Sequence, residues 1–387
     1  MELTSKLPGY GASIFSVMSG LAAKHQAINL SQGFPEFNPP IELQEAVADA
    51  MRNGRNQYAP MPGIPELREL LAQRIHDWRS VSINPDSEIT LVPGATAGLY
   101  VAITALVRPG DEVIIVEPGY DSYAPVIELN GGVVKRANLR IDALQRGESP
   151  WPWKEIKSLL SNKTRLVLIN TPHNPLGCIM EMDDWNQLAD IIKDSKAFVL
   201  SDEVYEHMVL DGKQHISVLQ IPELAHKAVA VSSFGKTFHA TGWKLGYLCA
   251  PSDLTVELRK VFQFLAFAAN TPMQVGAYQF LLENPDYEFT VSSLMQQKRD
   301  TLLKQLNNPI ITWLPCQGAY FLVADIGQIT QKSDADFAID LTVEKGLATI
   351  PLSAFSKQTL PGKYLRFCFA KNDDTLYKAA QILNQLT

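Results

Sequence analysis

The chain is punctuated by short, almost continuous apolar runs that end in polar residues, Gly or Pro. They are "DEVIIVEPGY" (Asp111–Tyr120), "TRLVLINTPHNP" (Thr164–Pro175), "AFVLSDEVY" (Ala197–Tyr205), "AVAVSSFGK" (Ala228–Lys236) and "KLGYLCAP" (Lys244–Pro251). Such runs are too short for helices and suit strands covered on both faces. Helical patterns lie between several of them: "ATAGLYVAITALV" precedes the first, and "MEMDDWNQLADIIKD" separates the second from the third. This alternation predicts an α/β domain with a mainly parallel central sheet flanked by helices. The C-terminal part reads differently. "GAYFLVADI", "LATIPLSAF" and "KYLRFCFA" read as strands among helical segments, which predicts a smaller α+β domain. The Gly/Pro-dense "INLSQGFPEFNPP" reads as an irregular loop that returns to that domain. The expected division is an N-terminal arm with part of the small domain (1–40), a large domain (41–280) and a C-terminal small domain (281–387).

The polar residues that end the runs share a location. In open α/β sheets ligands bind beyond the carboxyl ends of the strands, so Tyr120, Asn174, Asp202, Tyr205, Ser233 and Lys236 are expected to converge. A buried ammonium is costly unless it is paired or chemically used. Lys236 leaves a buried strand within "SSFGKTFHATGWKLGY" (Ser232–Tyr247), and such a lysine can form a Schiff base with a carbonyl cofactor. A lone lysine is usually a surface residue, but Ser233, Lys244 and the permissive Gly235 and Gly242 suit a phosphate-bearing aldehyde. Asp202 ends an apolar strand, where only a cation or a raised pKa makes it tolerable. A protonated pyridine nitrogen is one such cation, and a cap or an ion pair is the simpler alternative. In "VPGATAGLY" (Val92–Tyr100) a strand ends and a helix begins near Ala95 and Thr96, leaving free N–H groups for an anion. Arg366, inside the strand-like "YLRFCFA", calls for an anion, either a ligand carboxylate or an internal acid.

Taken together these segments resemble the class I/II aminotransferases, pyridoxal-phosphate enzymes of fold type I, over nearly the whole chain. "NLSQGFP", "NQYAPMPGIPELR", "TPHNPLG", "SDEVYEH", "SSFGKTFHATGWKLGY" and "LRFCFAK" resemble the kynurenine/glutamine/methionine branch, above all its bacterial methionine aminotransferases. The resemblance implies pyridoxal 5'-phosphate held covalently by Lys236, which also carries the proton in catalysis. It implies Asp202 on the pyridine nitrogen, Tyr205 and Asn174 on the phenolic oxygen, and Tyr120 against the ring. Ala95, Thr96, Ser233 and Lys244 would bind the phosphate, as would Tyr58 reaching into a partner subunit's site. Arg366, Asn174 and the Gly33 backbone would hold the substrate carboxylate, with Phe15 lining the side-chain pocket. Two departures stand out: lysine at 244 where many relatives have arginine, and Leu176 where Thr or Ser is common. The segment Val261–Phe280 has no Lys or Arg, which points to an apolar, thioether or aromatic amino donor. An apolar pocket discriminates by only about 1–3 kcal/mol per methylene, so broad specificity is expected, with methionine favoured and Phe, Tyr, Leu and Gln open.

Composition narrows the alternatives. Of 387 residues 46% are hydrophobic and 19% charged, and the net charge is -7. Lys and Arg are scattered, which argues against nucleic-acid or anionic-membrane partners. No run reaches the roughly 18 apolar residues of a membrane span, and "MELTSKLPGYGASIF" shows no secretory h-region. The four cysteines lie far apart, which argues against a metal or disulfide framework and for a reducing cytoplasm. The expected protein is a cytoplasmic homodimer acting on an amino acid and a 2-oxo acid, with no metal. Two other readings stay open: a C–S β-lyase using the same lysine and cofactor, and a non-catalytic pyridoxal-phosphate-binding regulatory domain. The second is disfavoured by the lack of a basic patch or DNA-binding extension.

Overall fold

The computed structural model describes residues 4–387. Thirteen strands follow in chain order: β1 (Ile28–Asn29), β2 (Ile89–Val92), β3 (Glu112–Glu117), β4 (Val133–Asn138), β5 (Thr164–Asn170), β6 (Phe198–Asp202), β7 (Ala228–Ser233), β8 (Gly246–Cys249), β9 (Thr312–Trp313), β10 (Phe321–Asp325), β11 (Leu347–Ala348), β12 (Ile350–Pro351) and β13 (Tyr364–Cys368). The large sheet has seven strands in the order β2-β8-β7-β6-β5-β3-β4. β4, β3, β5, β6 and β7 pair in parallel, whereas β8 runs antiparallel to both of its neighbours. The expected α/β architecture is present, with one reversed strand. β5, β6, β7 and β8 are almost wholly buried, which is why their sequences are near-continuous apolar runs.

A second, antiparallel sheet has the order β12-β13-β10-β9. The N-terminal loop does return to this part of the chain: β1 pairs in parallel with β11, and Cys368 N–H donates to the Leu30 carbonyl at 2.9 Å. One apolar core joins both sheets, with Val167 and Ile169 of the large one continuous with Val323 and Phe367 of the small one. Among the described residues no helix is long and apolar enough to cross a membrane.

The chain just beyond β6 is held from behind by buried charge. Asp202 and Tyr205 line a cavity at the strand end, while Glu203 and Glu206 turn to the other side. Glu206 pairs with Arg79, the last residue of helix Pro65–Arg79, and accepts hydrogen bonds from Ser232 of β7 and, at 2.8 Å, from Tyr247 of β8. Glu203 accepts from His215 Nε2 at 2.9 Å, from Ser201 Oγ at 2.8 Å and from the Val218 N–H at 2.9 Å. Burial pushes the Glu206 carboxyl up, but Arg79, His207 and His215, with the Arg79 hydrogen bond, together outweigh burial and lower it to about 2. A buried carboxylate that loses its cation is left uncompensated, at a cost of about 3–5 kcal/mol.

Replacing Arg79 by Met is therefore expected to destabilise the fold by about 3–5 kcal/mol, read as a lower urea midpoint. Arg52→Met, which removes an exposed pair with Asp49, is expected to change stability by less than about 1 kcal/mol. Because the Glu206 pKa is lowered on folding, its contribution is fully present above the ordinary carboxylate range and is lost as pH falls toward about 2. Acid titration of Glu206→Gln beside the parent checks the sign: the difference between them should shrink on acidification.

Candidate active site

At the carboxyl ends of β5, β6 and β7 a cavity of about 240 Å³ opens between the two sheets. It is lined by Ala95, Thr96, Tyr120, Asn174, Asp202 and Tyr205, and equally by Phe15, Gly33, Ser233, Lys236, Lys244 and Arg366. All but one of the residues expected to form a site thus lie together. The exception is Tyr58, which is 83% exposed on the surface, edge-on to Phe267 at 5.3 Å.

The anion end is made by backbone. In helix Ala95–Leu106 the first internal bonds run from the Ala97 and Gly98 N–H groups to the Gly94 carbonyl, so the Ala95 and Thr96 N–H groups are the unpaired donors of the first turn. Gly94 has φ +83°, and a Cβ there would lie 3.1 Å from Lys244 Cε. Gly246 is tighter still: its Cβ would meet the Ser232 carbonyl at 2.5 Å and Ala95 N at 3.1 Å. Of the two glycines expected to make room for a ligand, Gly235 lines the cavity and a Cβ there would lie 3.2 Å from the Ala240 carbonyl, whereas Gly242 has open space around it and does not line the cavity. Lys244, Ser233 and a helix N-terminus together bring a cation, a hydroxyl and free N–H groups to one end of the cavity.

Asp202 lies in the middle of the cavity wall. Its Oδ2 accepts from Tyr123 Oη at 2.6 Å, and its Oδ1 accepts from the Val204 N–H at 3.3 Å. Burial raises its carboxyl to about 6, with the Tyr123 bond holding part of the shift back. Register fixes its place, since Asp202 pairs with Asn170 of β5 and Val231 of β7. Asn170 supports both sides of the wall: its Nδ2 donates to the Asp202 carbonyl at 2.9 Å and its Oδ1 accepts from the Asn174 N–H at 2.7 Å. Tyr120 packs edge-on to Tyr123 at 5.6 Å. Burial raises the Tyr205 phenol, which keeps its proton.

Lys236 follows β7 in the short helix Phe234–Thr237. Its Nζ donates to Tyr320 Oη at 2.7 Å and to the Gly33 carbonyl at 3.3 Å. Burial lowers the amine to about 8, while Asp202 and Cys368 oppose the shift. An amine at that value is accessible as a nucleophile and base near neutral pH.

Arg366 is fully buried in β13, one of the two inner strands of the small sheet. One terminal nitrogen donates to Asn174 Oδ1 at 2.7 Å and the other to the Ser31 carbonyl at 2.9 Å. Nε has no partner, and the guanidinium carbon lies 3.9 Å from the Phe321 ring centre and 5.3 Å from that of Phe15. Burial lowers its pKa to about 10, so it stays charged at neutral pH with no carboxylate bonded to it. A buried cation with an unused donor has the charge and the geometry to take an anion. Asn174 lends its oxygen to Arg366 and keeps the donor half of its amide for a ligand.

Sequence reasoning missed Tyr123, Asn170 and Tyr320. Tyr123 stands three residues after Tyr120, just past the end of "DEVIIVEPGY", so its signal was present. Tyr320 carried none beyond being an aromatic residue at the start of an apolar strand.

Residues 25–383 match the family model of class I and II aminotransferases. A methionine aminotransferase of Escherichia coli is 48% identical, over 99% of this chain and 98% of its own length. Its solved structure covers both chains completely with a TM-score of 0.95. The N-succinyldiaminopimelate aminotransferase structure from Mycobacterium tuberculosis also has a TM-score of 0.95, at 32% identity and full coverage of both chains. A human kynurenine–oxoglutarate transaminase is 33% identical over 92% of this chain and 91% of its own. With the family model spanning almost its whole length, and with the fold-type I architecture in place, this chain belongs to the class I and II aminotransferases.

Proposed function

We propose that the protein is a pyridoxal 5'-phosphate-dependent aminotransferase whose preferred donors are methionine and other apolar or aromatic amino acids. The observation that carries the reading is Arg366, a buried guanidinium with an unpartnered Nε beside the free donor of Asn174. It faces the same cavity as an amine lowered to about 8. The lining fits the cofactor. The Gly94 cradle with Ala95, Thr96, Ser233 and Lys244 suits the phosphate, and Tyr58 suits a partner subunit's phosphate because it lies exposed outside its own cavity. Asp202 suits a cationic ring nitrogen, Tyr205 and Asn174 the phenolic oxygen, and Tyr120 the ring face. The bound cofactor would supply an aldehyde for the amino group and a conjugated ring that accepts the electron pair when the donor's Cα–H bond breaks.

The chain's own residues do the rest. Lys236 holds the cofactor between turnovers and, once free, carries the proton from Cα. Arg366 and Asn174 fix the α-carboxylate so that this proton faces Lys236. Donor choice follows from what the cavity lacks. Its lining cations are Lys236, Lys244 and Arg366, each committed elsewhere, so a second carboxylate on the donor would be buried unpaired. Phe15 and Leu99 offer apolar surface instead. The relative named for methionine supports the same choice. The exposed Phe264, and the exposed Phe267 packed against Tyr58, support a homodimer, and four buried, unpaired cysteines support a cytoplasmic setting.

A panel of amino donors with one fixed 2-oxo acid tests this proposal. Methionine and the aromatic amino acids should lead and aspartate should trail; aspartate in first place would overturn it. Pyruvate and a thiol from an S-substituted cysteine, without a new amino acid, would mark a β-lyase. Arg366→Met should lower kcat/KM for every donor by about 10–100-fold, the worth of one charge-assisted hydrogen bond or two, without reordering the panel. Lys236→Ala should abolish transamination.

A further inference from the structure

We propose that Tyr320 aims the Lys236 amine: with the Gly33 carbonyl it ties up two of the nitrogen's tetrahedral positions and leaves the next one for the reacting carbon. The proposal rests on the aminotransferase reading and deepens it.

The contacts form a closed triangle. Lys236 Nζ lies 2.7 Å from Tyr320 Oη and 3.3 Å from the Gly33 carbonyl oxygen, and Tyr320 Oη also bonds that carbonyl. A carbonyl only accepts, so the phenol proton points to Gly33. The Tyr320 hydroxyl is fully buried, and burial pushes its pKa well above the ordinary value, so it keeps that proton. Toward Lys236 the phenol can therefore only accept. Two N–H bonds of Lys236 are thus directed at Tyr320 and Gly33. A neutral amine then has its lone pair in the remaining position, and an ammonium has its third proton there. The base and the acid of one proton transfer would share a single direction, toward the cavity that Lys236 lines.

The aiming group is itself fixed. Tyr320 immediately precedes β10, and its carbonyl accepts from the Phe369 N–H at 3.0 Å. Its ring packs edge-on against Tyr205 at 5.1 Å and Phe321 at 4.7 Å. The charged and titratable groups around the amine are Asp202 and Cys368, which favour the ammonium, and Arg366 and Lys244, which disfavour it. None of these is hydrogen-bonded to Nζ, so direction comes from the two uncharged acceptors. The step balances. Nζ takes the proton from the donor's Cα–H bond as a new N–H bond, and the conjugated ring that the cofactor would supply at this site would take up the electron pair. The same N–H later returns the proton.

The test is Tyr320→Phe in the full-length protein, which keeps the ring and removes the acceptor. In the cofactor-loaded protein, a single turnover of methionine should slow by about tenfold or more, as expected for a misdirected reacting atom. KM should change much less than kcat, because Tyr320 does not line the cavity and reaches the carboxylate site only through the Gly33 carbonyl. The isotope effect with Cα-deuterated methionine should rise. A second readout needs no turnover. In cofactor-free protein, acetic anhydride labelling of Lys236, read by mass spectrometry across pH, should give a half-point shifted down by about half a unit or more, since an acceptor favouring the ammonium is gone. Circular dichroism confirms that the variant is folded, and Tyr364→Phe, which removes another buried phenol oxygen but does not line the cavity, serves as a second variant that should leave the labelling profile unchanged. A slower or less stable Tyr320→Phe protein with the parental isotope effect and labelling profile overturns the proposal, because Tyr320 would then be structural only. Should the parent fail to transaminate any amino acid, the aminotransferase reading fails by itself; the labelling profile then still decides whether Tyr320 governs the amine.

Discussion

The strand end after β6 depends on a pair of buried carboxylates that never face the ligand. Over residues 202–206 the chain presents Asp202 and Tyr205 to the cavity and Glu203 and Glu206 to the opposite side. Glu206 gathers Arg79, Ser232 and Tyr247, so one carboxylate ties a helix end to β7 and β8. Those strands carry Ser233, Lys236 and Lys244 onward to the site. Buried ion pairs add little net stability over apolar packing, but an unpaired member is heavily penalised. Such a cluster fixes relative positions more than it deepens the energy well.

On the cavity side burial moves two groups toward neutrality. The Asp202 carboxyl rises to about 6 and the Lys236 amine falls to about 8. The Lys236 amine is thereby brought near neutral pH, where proton transfer is most effective, while Asp202 is still mostly ionised there and keeps its charge for a cationic partner. Arg366 resists the same pressure because its intrinsic pKa is so high: even lowered to about 10 it remains a cation. The contrast suits the division of labour, since an anchor must stay charged while a proton carrier must change charge.

Much of this was legible in the sequence, for a physical reason. Strands buried on both faces announce themselves as apolar runs, and a polar residue at the end of such a run must be satisfied by something. Asp202, Lys236 and Asn174 were found that way. β4 escaped because it is an edge strand with mostly half-buried side chains, "VVKRAN", and so has no apolar run. The reversal of β8 escaped because "KLGYLCAP" has the same composition as its parallel neighbours, and direction is set by connections. Tyr320 and Arg79 escaped for a different reason. Each acts on a residue remote in sequence, Lys236 and Glu206, and an aromatic residue opening a strand or an arginine ending a helix looks ordinary until folding supplies its partner.

The lysine's two acceptors have a consequence for how the protein is born. Gly33 leaves the ribosome long before Lys236, and Tyr320 long after it, while β1, next to Gly33, pairs with β11 near residue 347. The strands of the large sheet, residues 89–249, can all emerge while the early segment still has no strand to join. Contacts of such wide separation form late, after loop closure has been met. The nucleophile is therefore assembled before the groups that orient it, and the nascent chain carries an unaimed amine until its last strands are made.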